Sequence, residues 1–229
     1  MNKSIAVLIP CFNEEQTVAA VIEGFKSYLP ESTIYVYDNC SVDRTASVAR
    51  LHGAVVNKSP KLGKGYVIQQ MFREVEADIY IIVDGDNTYS AADVRTMIDK
   101  LDEGYDMAIG DRLSSTYFSE NKNPFRALGN RTVRYCVNKL FHGNVTDVMT
   151  GYRAMTRRFV KAVQLSSGGF EIETEMTIWS LENSMNIGSV PIQYRDRPFG
   201  SVSKLHTLSD GIKVLWFIFK SKIFGRKSS

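Results

Sequence analysis

The sequence predicts an α/β fold in which helices cover both faces of a mostly parallel central sheet. Short apolar runs typical of buried strands alternate along the chain with stretches whose apolar residues recur at helical spacing. This βαβα order is typical of parallel sheets, whose crossover helices lie on the two faces. With 229 residues, of which 44% are hydrophobic, the chain can build one large domain of this kind.

The predicted elements follow from local patterns in chain order. An apolar run at residues 4–9 predicts the first strand, and Pro10 is expected to end it. Ser90 and Asp93 have the spacing of a capping box, which marks the start of a helix. The full set is a strand at 4–9, a helix at about 18–29, a strand at 33–37, helices at about 43–51 and from about 65, a strand at 79–83, a helix at about 90–103, a strand at 107–109, and helices at about 124–141 and 171–185.

Composition and charge argue against several classes of protein. Cys11, Cys40 and Cys136 are odd in number and form no CxxC pair, so neither a disulfide framework nor a zinc site is indicated. This pattern favours the reducing cytoplasm. The apolar run at 5–9 is too short for the apolar region of a signal peptide. The formal net charge of +3 is too small to argue for nucleic acid as a partner.

The triplet Asp84-Gly85-Asp86 is the most informative motif, because it follows an apolar run that predicts a fully buried strand. Ligands of open α/β sheets collect at the carboxyl ends of strands. Two carboxylates there would repel each other unless a cation lay between them, and a hard divalent cation that chelates a phosphate-bearing substrate would satisfy both. Gly85 would let the backbone approach that ligand closely. The alternative is an ordinary strand-end turn with two solvated carboxylates.

Polar residues also follow the first two predicted strands. Asn13 and Glu15 come after the first strand, where acidic residues would alternatively serve only to stabilise the start of the next helix. Asp38 and Asn39 follow the second strand, where they could contact a nucleobase and ribose or belong to a turn that caps a helix. The segment around Lys64 lacks the spacing of a P-loop. By itself it indicates a loop with one cation, for which a structural role is the alternative.

Together these segments resemble the family 2 glycosyltransferases of the GT-A fold. The resemblance is closest to the dolichol-phosphate mannose synthase-like branch, whose members transfer a sugar from a nucleotide donor to a polyprenyl phosphate. It covers nearly the whole chain, and its most specific motifs lie downstream. These are Gly110-Asp111-Arg112, residues 123–131, residues 147–154, residues 170–175, and Arg197 followed by residues 200–205.

The resemblance implies a GT-A catalytic domain over residues 1–205 with a site for a nucleotide-sugar donor. Asp84 and Asp86 would hold Mg²⁺ or Mn²⁺ against the donor diphosphate, and Asp38 would face the base. Thr88 stands where some relatives have a Gln ligand, which leaves water as the alternative third ligand. The candidate donor-binding residues are Pro10, Asn13, Glu15, Asp38, Asn39, Lys64, Asp84, Gly85 and Asp86.

The resemblance also implies catalysis by fixed charge, which stabilises a leaving diphosphate without proton transfer. Arg112 would approach the donor phosphates, and Arg126 with Arg131 would receive the acceptor phosphate. Arg197 and Lys204 would close over the diphosphate, although their spacing exceeds that of the tightest relatives and leaves the partner of Lys204 open. The candidate catalytic residues are therefore Asp86, Arg112, Arg126, Arg197 and Lys204.

These roles predict a metal-dependent, inverting transfer of a sugar to a polyprenyl phosphate, undecaprenyl or dolichyl, for the synthesis of cell-surface glycans or glycoconjugates. A phosphate acceptor is already anionic and needs positioning rather than a general base. Asp147 and Glu173 would then be structural or organise the arginines, whereas either could be the base for a saccharide hydroxyl. Asn39 replaces the second Asp of typical mannose synthases, which favours UDP-glucose or UDP-N-acetylglucosamine over GDP-mannose.

Two other functional classes are alternatives. The first is a noncatalytic protein that binds a nucleotide-sugar, against which the complete set of phosphate-directed cations argues. The second is a nucleotidyltransferase, which would be expected to carry a glycine-rich phosphate loop after the first strand. Residues 10–15 contain no glycine.

Residues 206–229 are predicted to form a basic, amphipathic C-terminal helix. The apolar run at 214–219 is much shorter than the roughly 20 residues that span a bilayer. Trp216, Phe217 and Phe219 would lie at the acyl boundary, with lysines among the headgroups. This predicts peripheral contact at the cytoplasmic face of a membrane. The alternatives are a buried terminal helix or a subunit contact in a homo-oligomer.

Overall fold

The computed structural model describes residues 3–114, 124–195, 197 and 207–224, with the backbone alone for 124–127 and 207–209. Strands and helices alternate along most of this part of the chain, as the sequence predicts. The strands are β1 Ile5–Cys11, β2 Thr33–Asp38, β3 Val55–Lys58, β4 Ile79–Ile82, β5 Met107–Asp111, β6 Arg153–Thr156 and β7 Ile187–Pro191. The helices are α1 Val18–Tyr28, α2 Thr45–Leu51, α3 Lys64–Glu74, α4 Val94–Asp102, α5 Pro124–Phe141, α6 Arg157–Ala162, α7 Ile172–Glu182 and α8 Thr207–Phe224.

The strands form one sheet in the order β3-β2-β1-β4-β6-β5-β7. Every neighbouring pair is parallel except those of β6, which runs antiparallel to both β4 and β5. The predicted α/β class with a mostly parallel sheet is therefore confirmed. Because β1, β2 and β4 are adjacent and parallel, their carboxyl ends meet at one edge, where the chain delivers its polar loops.

Two apolar cores cover the two faces of the sheet, which confirms helices on both sides. Alternate residues of β1 enter different cores: Leu8 packs with α3, α5, α7 and α8, whereas Val7 and Ile9 pack with α1, α2 and α4. This alternation follows from the period of two along a strand. Both faces of the central strands are buried, which is why β1 and β4 are continuous apolar runs.

The prediction that Pro10 ends the first strand is wrong. β1 continues to Cys11 and stays paired with β2. In a parallel ladder alternate residues bond to opposite neighbours: the carbonyl of Leu8 accepts a bond from the β4 side, and that of Cys11 from the β2 side. Pro10 therefore faces the β4 side beyond the last β1–β4 pair, where its missing N–H costs no ladder bond.

The sequence patterns miss three strands for different physical reasons. β3 is a short edge strand with no fully buried residue. β6 begins with Arg153, a charged residue that interrupts any apolar run although it is fully buried. β7 contains a glycine and ends in a proline, both of which are depleted in strands.

The C-terminal helix α8 is amphipathic. Val214 and Ile218 are buried against the core beside α5, whereas Trp216, Phe219 and Ile223 are exposed. In the part of the chain that the structure describes, we find no helix with the length and apolarity needed to cross a bilayer. One side of α8 thus belongs to the core, and the other presents apolar side chains to the outside.

Candidate active site

The Asp84-Gly85-Asp86 motif lies directly after β4, at the edge where β1 and β2 also end. Asp84 Oδ1 is 2.5 Å from Lys64 Nζ, and Asp86 Oδ2 is 2.5 Å from Arg197 Nη2. Asp86 Oδ1 accepts bonds from the backbone N (3.1 Å) and Oγ1 (2.7 Å) of Thr88. Both carboxylates are thus fixed by ionic and hydrogen-bonded partners, which argues against an ordinary solvated turn.

The electrostatics of the motif fit a divalent cation. Burial raises the pKa of the Asp86 carboxyl, neighbouring Asp84 raises it further, and Arg197 opposes the shift. Two oxygen-bearing groups that repel each other are suitable ligands for Mg²⁺ or Mn²⁺. Within the described ranges no third His, Cys, Asp or Glu completes a metal cluster. A bound cation would thus have Asp84 and Asp86 as its carboxylate ligands from these ranges, and the Thr88 hydroxyl orients Asp86.

Gly85 and Gly151 are required because neighbouring atoms fill the space of a Cβ. A Cβ on Gly85 would lie 2.7 Å from Cys11 Sγ. Packing against β1 therefore limits the residue at position 85 to glycine, and the approach of its backbone to a ligand stays a prediction. A Cβ on Gly151 would lie 2.6 Å from Asp84 Oδ2, and the Gly151 N–H donates to the Tyr89 hydroxyl (3.0 Å). Gly151 thus leaves room for the Asp84 carboxylate.

We expect Gly151→Ala to lower metal-dependent activity by roughly 10- to 100-fold, because the new methyl group displaces the Asp84 carboxylate from its working position. Initial rates over a range of Mn²⁺ concentrations measure the effect. Gly211→Ala on α8 is the matched control, since nothing lies within 4 Å of its Cβ position. A rate for Gly151→Ala equal to that of the control would show that this glycine does not position Asp84.

The loops after β1 and β2 are joined by side chain–backbone hydrogen bonds. Asn13, which has a φ of +53°, donates its N–H to Ser41 Oγ (2.9 Å) and accepts the Val42 N–H at Oδ1 (2.9 Å). Glu15 Oε2 accepts the N–H of Arg44 (2.9 Å). No acidic residue lies in the first turn of α1. The bonds of Asn13 and Glu15 instead join the loops that follow β1 and β2, and their contact with a donor stays a prediction.

Asp38 and Asn39 are adjacent at the end of β2, but Asn39 has a role that differs from the predicted one. Its Nδ2 donates to the carbonyls of Ser59 (3.0 Å) and Lys61 (2.8 Å), and its Oδ1 accepts the N–H of Gly63 (2.8 Å). Its amide hydrogens are thus used to clamp a loop, which argues against the predicted contact with a nucleobase or ribose. Asp38 keeps the strand-end position predicted for base contact.

Lys64 is the first residue of α3 and lies among acidic groups. Its Nζ is 2.5 Å from both Asp84 Oδ1 and Glu173 Oε1. Burial opposes the charge on this ammonium, but the two carboxylates outweigh burial and raise its pKa above the ordinary value. Glu173, on α7, therefore holds this lysine from a second side.

Arg112 is the first residue after β5, and Asp147 holds it in a buried, bidentate ion pair. Arg112 Nε is 2.7 Å from Asp147 Oδ2, and Nη2 is 2.9 Å from Oδ1. Burial opposes the charge on this guanidinium as well, yet Asp147 keeps its pKa well above the ordinary value. The Tyr194 ring centroid lies 5.4 Å from Arg112 Cζ. Asp147 thus fixes the orientation of Arg112, as one of the two sequence hypotheses for Asp147 expects.

A short pairing of two segments brings Arg197 into the site. Tyr89 and Tyr194 form an antiparallel bridge, and their ring centroids are 5.2 Å apart. This bridge anchors the chain three residues before Arg197. Arg197 then contacts Asp86.

Three of the predicted phosphate-binding residues are Lys204, expected to close over the diphosphate, and Arg126 and Arg131, expected to bind the acceptor phosphate. Lys204 lies outside the described residues, as does the side chain of Arg126 on α5. Arg131 is exposed on the same helix. The roles of these three residues therefore stay predictions.

Arg153 is a site-supporting residue that the sequence patterns do not identify. It is fully buried and donates to the carbonyls of Val148 (2.7 Å) and Thr150 (3.1 Å) and to Thr177 Oγ1 (3.1 Å). Burial lowers the pKa of its guanidinium to about 10. These bonds brace the segment that ends at Gly151. The only sequence signal is its place in the 147–154 motif.

Comparison with known proteins assigns the chain to a family. Residues 6–163 match the family model for Glycosyl transferase family 2. The chain is 34% identical over 213 residues to Glycosyltransferase AglJ of Haloferax volcanii, a match that covers 91% of this chain and 68% of that protein. It is 27% identical over 193 residues to a dolichyl-phosphate hexose transferase of the same organism, covering 84% and 83% of the two chains.

The fold also matches a solved enzyme. The structure aligns with a TM-score of 0.75 to glucosyl-3-phosphoglycerate synthase from Mycobacterium tuberculosis, crystallised with Mn²⁺, UDP-glucose and phosphoglyceric acid. The alignment covers 96% of this chain and 80% of that one at 20% identity. At that identity the likeness shows a shared fold.

Proposed function

Because the chain belongs to glycosyl transferase family 2, we propose that it is a metal-dependent, inverting hexosyltransferase that moves a sugar from a nucleotide-sugar to a polyprenyl phosphate. The enzyme class follows from the family. The donor, the metal and the acceptor are the parts that we propose.

The observation that favours a phosphate acceptor is the state of the two candidate bases. Asp147 is bound on both oxygens by Arg112, and Glu173 contacts Lys64 at 2.5 Å. Carboxylate oxygens that already contact a side-chain cation of the protein are not open to the hydroxyl of an incoming acceptor. An acceptor that is already anionic needs no such base, only a position in line with the anomeric carbon. Arg126 and Arg131 are the proposed acceptor-phosphate residues.

The donor site is proposed from its convergent charges. A divalent cation bound by Asp84 and Asp86 would stabilise the charge that develops on the leaving diphosphate. Arg197 and Lys64 contact these carboxylates, and we propose that both bind phosphate oxygens of the donor. Arg112, with Asp147 behind it, is held ready for the same anion. In-line attack on an α-linked donor would give a β-linked product.

The proposed donor is a UDP-sugar. A fold neighbour was crystallised with UDP-glucose, which is consistent with UDP-glucose or UDP-N-acetylglucosamine as the donor. The identity of residue 39 does not support a UDP-sugar over GDP-mannose, because the Asn39 amide bonds to the loop at 59–63. GDP-mannose therefore stays the main alternative. A panel of donors is needed.

The proposed transfer can be tested with purified protein, Mn²⁺ or Mg²⁺, a panel of UDP- and GDP-sugars, and undecaprenyl or dolichyl phosphate. We expect a glycolipid product with one donor and no transfer after chelation of the metal. Transfer only to a saccharide hydroxyl would contradict the acceptor. Binding of nucleotide-sugar without any turnover would favour the noncatalytic alternative.

A membrane surface is the proposed partner of α8. Trp216 and Ile223 are 63% and 72% exposed, and Phe219 lies between them on the same side. Lys220 places its Nζ 4.8 Å from the Trp216 ring centroid, and Lys222 is also exposed. Aromatic and aliphatic groups interleaved with lysines suit the interface of an anionic bilayer. A polyprenyl phosphate acceptor would then reach the enzyme from the membrane surface.

We expect the double variant Trp216→Ser/Ile223→Ser to bind anionic vesicles at least about tenfold more weakly than the wild type, because two apolar anchors are lost. Co-sedimentation with vesicles that contain phosphatidylglycerol measures this. Leu51→Ser, which removes an exposed apolar residue from α2, is the control and should change nothing. If vesicle binding were unchanged and the double variant instead dissociated a dimer in sedimentation equilibrium, α8 would be a subunit contact.

A further inference from the structure

Each carboxylate of the candidate metal site contacts a cation that belongs to the chain itself. Lys64 lies on Asp84, and Arg197 lies on Asp86. The side chains of Lys64 and Asp86 are only 11% and 4% exposed, so water and salt screen these pairs weakly. A metal ion that binds the same oxygens is therefore repelled by the positive charges of Lys64 and Arg197, which contact those oxygens.

The two cations are held with different firmness. Lys64 also forms an ion pair with Glu173, and Asn39 accepts a hydrogen bond from the loop just before Lys64. Arg197 is 27% exposed and follows the bridge formed by Tyr194. Lys64 is thus a built-in part of the site, whereas Arg197 is the more accessible of the two.

The charges around the motif come close to balance. Three carboxylates, those of Asp84, Asp86 and Glu173, meet the two cations, which leaves a formal charge of −1. A divalent cation that arrives alone would make the cluster positive and would crowd like charges in a poorly solvated place. A divalent cation that arrives with a diphosphate brings its own counter-charge, and both side chains can then bind phosphate oxygens.

We propose that Lys64 and Arg197 are the counter-ions of the Asp84–Asp86 pair in the absence of ligand. In this state they oppose the binding of a free divalent cation. When metal and nucleotide bind together, the two side chains contact the diphosphate in place of the carboxylates. This inference rests on the proposed metal-dependent function and adds a coupling to it. Metal and nucleotide each raise the affinity for the other, by the same factor. The chain would thereby take up its metal as part of the donor complex.

Binding of Mn²⁺ tests the coupling without any measurement of turnover. The electron paramagnetic resonance signal of free aqueous Mn²⁺ gives the bound fraction, with UDP and GDP as the nucleotide probes. We expect wild-type protein to bind Mn²⁺ at least about tenfold more tightly with a nucleotide than alone. Lys64→Met should bind Mn²⁺ alone at least about tenfold more tightly than wild type, because a like charge has left the site, and should lose most of the coupling.

Two further variants make the test specific. Lys61→Met removes an exposed cation that lies over the Tyr66 ring in the same loop, and it should behave as wild type. Arg197→Met should change the Mn²⁺ affinity in the same direction as Lys64→Met. If circular dichroism shows that the Lys64→Met protein is unfolded, Arg197→Met is used for the test in its place. Metal-alone affinity that is unchanged or weaker in the folded variants overturns the proposal but leaves metal dependence intact. Wild-type protein that binds no Mn²⁺ with either nucleotide overturns both.

Discussion

Replacement of Asp86 by Asn is expected to lower kcat/KM by about 1,000-fold or more while the protein stays folded. A metal ion contributes several kcal/mol to stabilising the leaving group, and a loss of about 4 kcal/mol corresponds to that factor. Asn keeps an oxygen that can accept from the N–H and hydroxyl of Thr88, so the local turn should survive. It removes the charge that Arg197 and a metal would share. Steady-state kinetics with the donor that the panel identifies measures the loss.

Asp102→Asn is the control for the Asp86 variant. Asp102 is an exposed carboxylate whose partner is the exposed Lys3, far from the site in the fold, and its substitution should leave kcat/KM within about twofold. Thermal melts of both variants should resemble that of the wild type. An Asp86→Asn enzyme with a rate near that of the control would show that this carboxylate does not anchor a catalytic metal.

The second large effect concerns stability. Asp147→Asn is expected to lower the free energy of unfolding by about 3–5 kcal/mol, because it leaves the buried Arg112 guanidinium without a counter-charge. Removal of one partner of a buried ion pair exposes the full cost of burying the other. Urea unfolding followed by circular dichroism measures the change. The same variant should lose most activity, since Arg112 loses its fixed orientation.

A second substitution separates the two effects. Arg112→Met in the Asp147→Asn background should recover much of the stability, because no unpaired charge remains buried, but it should recover no activity. Glu103→Gln breaks the exposed pair with Lys100 and should cost at most about 0.5–1 kcal/mol. If Asp147→Asn cost no more than Glu103→Gln, the Arg112–Asp147 pair would not be an organising element of the site.

The sequence predicts the fold well where one physical effect dominates locally. The apolar runs of β1 and β4 predict buried strands because both faces of a central parallel strand are covered. The position of Asp84 and Asp86 follows from the same rule, since a strand of known direction places its following residues at a known edge. These features need no knowledge of distant parts of the chain.

The features that sequence patterns miss depend on partners far away in the chain. Lys64 at the start of α3 meets Glu173 in the first turn of α7, and no local pattern links the two positions. Whether Asn39 faces a ligand or its own loop depends on the path of residues 59–63. Arg153 is a charged residue in the apolar pattern of β6. Its burial is possible because it donates to backbone carbonyls, and a hydropathy scale that scores each residue alone does not include such bonds.

Strand β6 completes the candidate site through pairings with distant parts of the chain. It inserts between β4 and β5, and it pairs with residues that precede it by a long stretch of chain. Pairings of this kind form slowly, because a large loop must close before they bring any gain. Until β6 is in place, Gly151 does not meet Asp84, and Asp147 is not yet held beside Arg112. The acidic motif thus precedes in the chain the residues that hold it in shape, and the site is complete only when β6 joins β4 and β5 in the sheet.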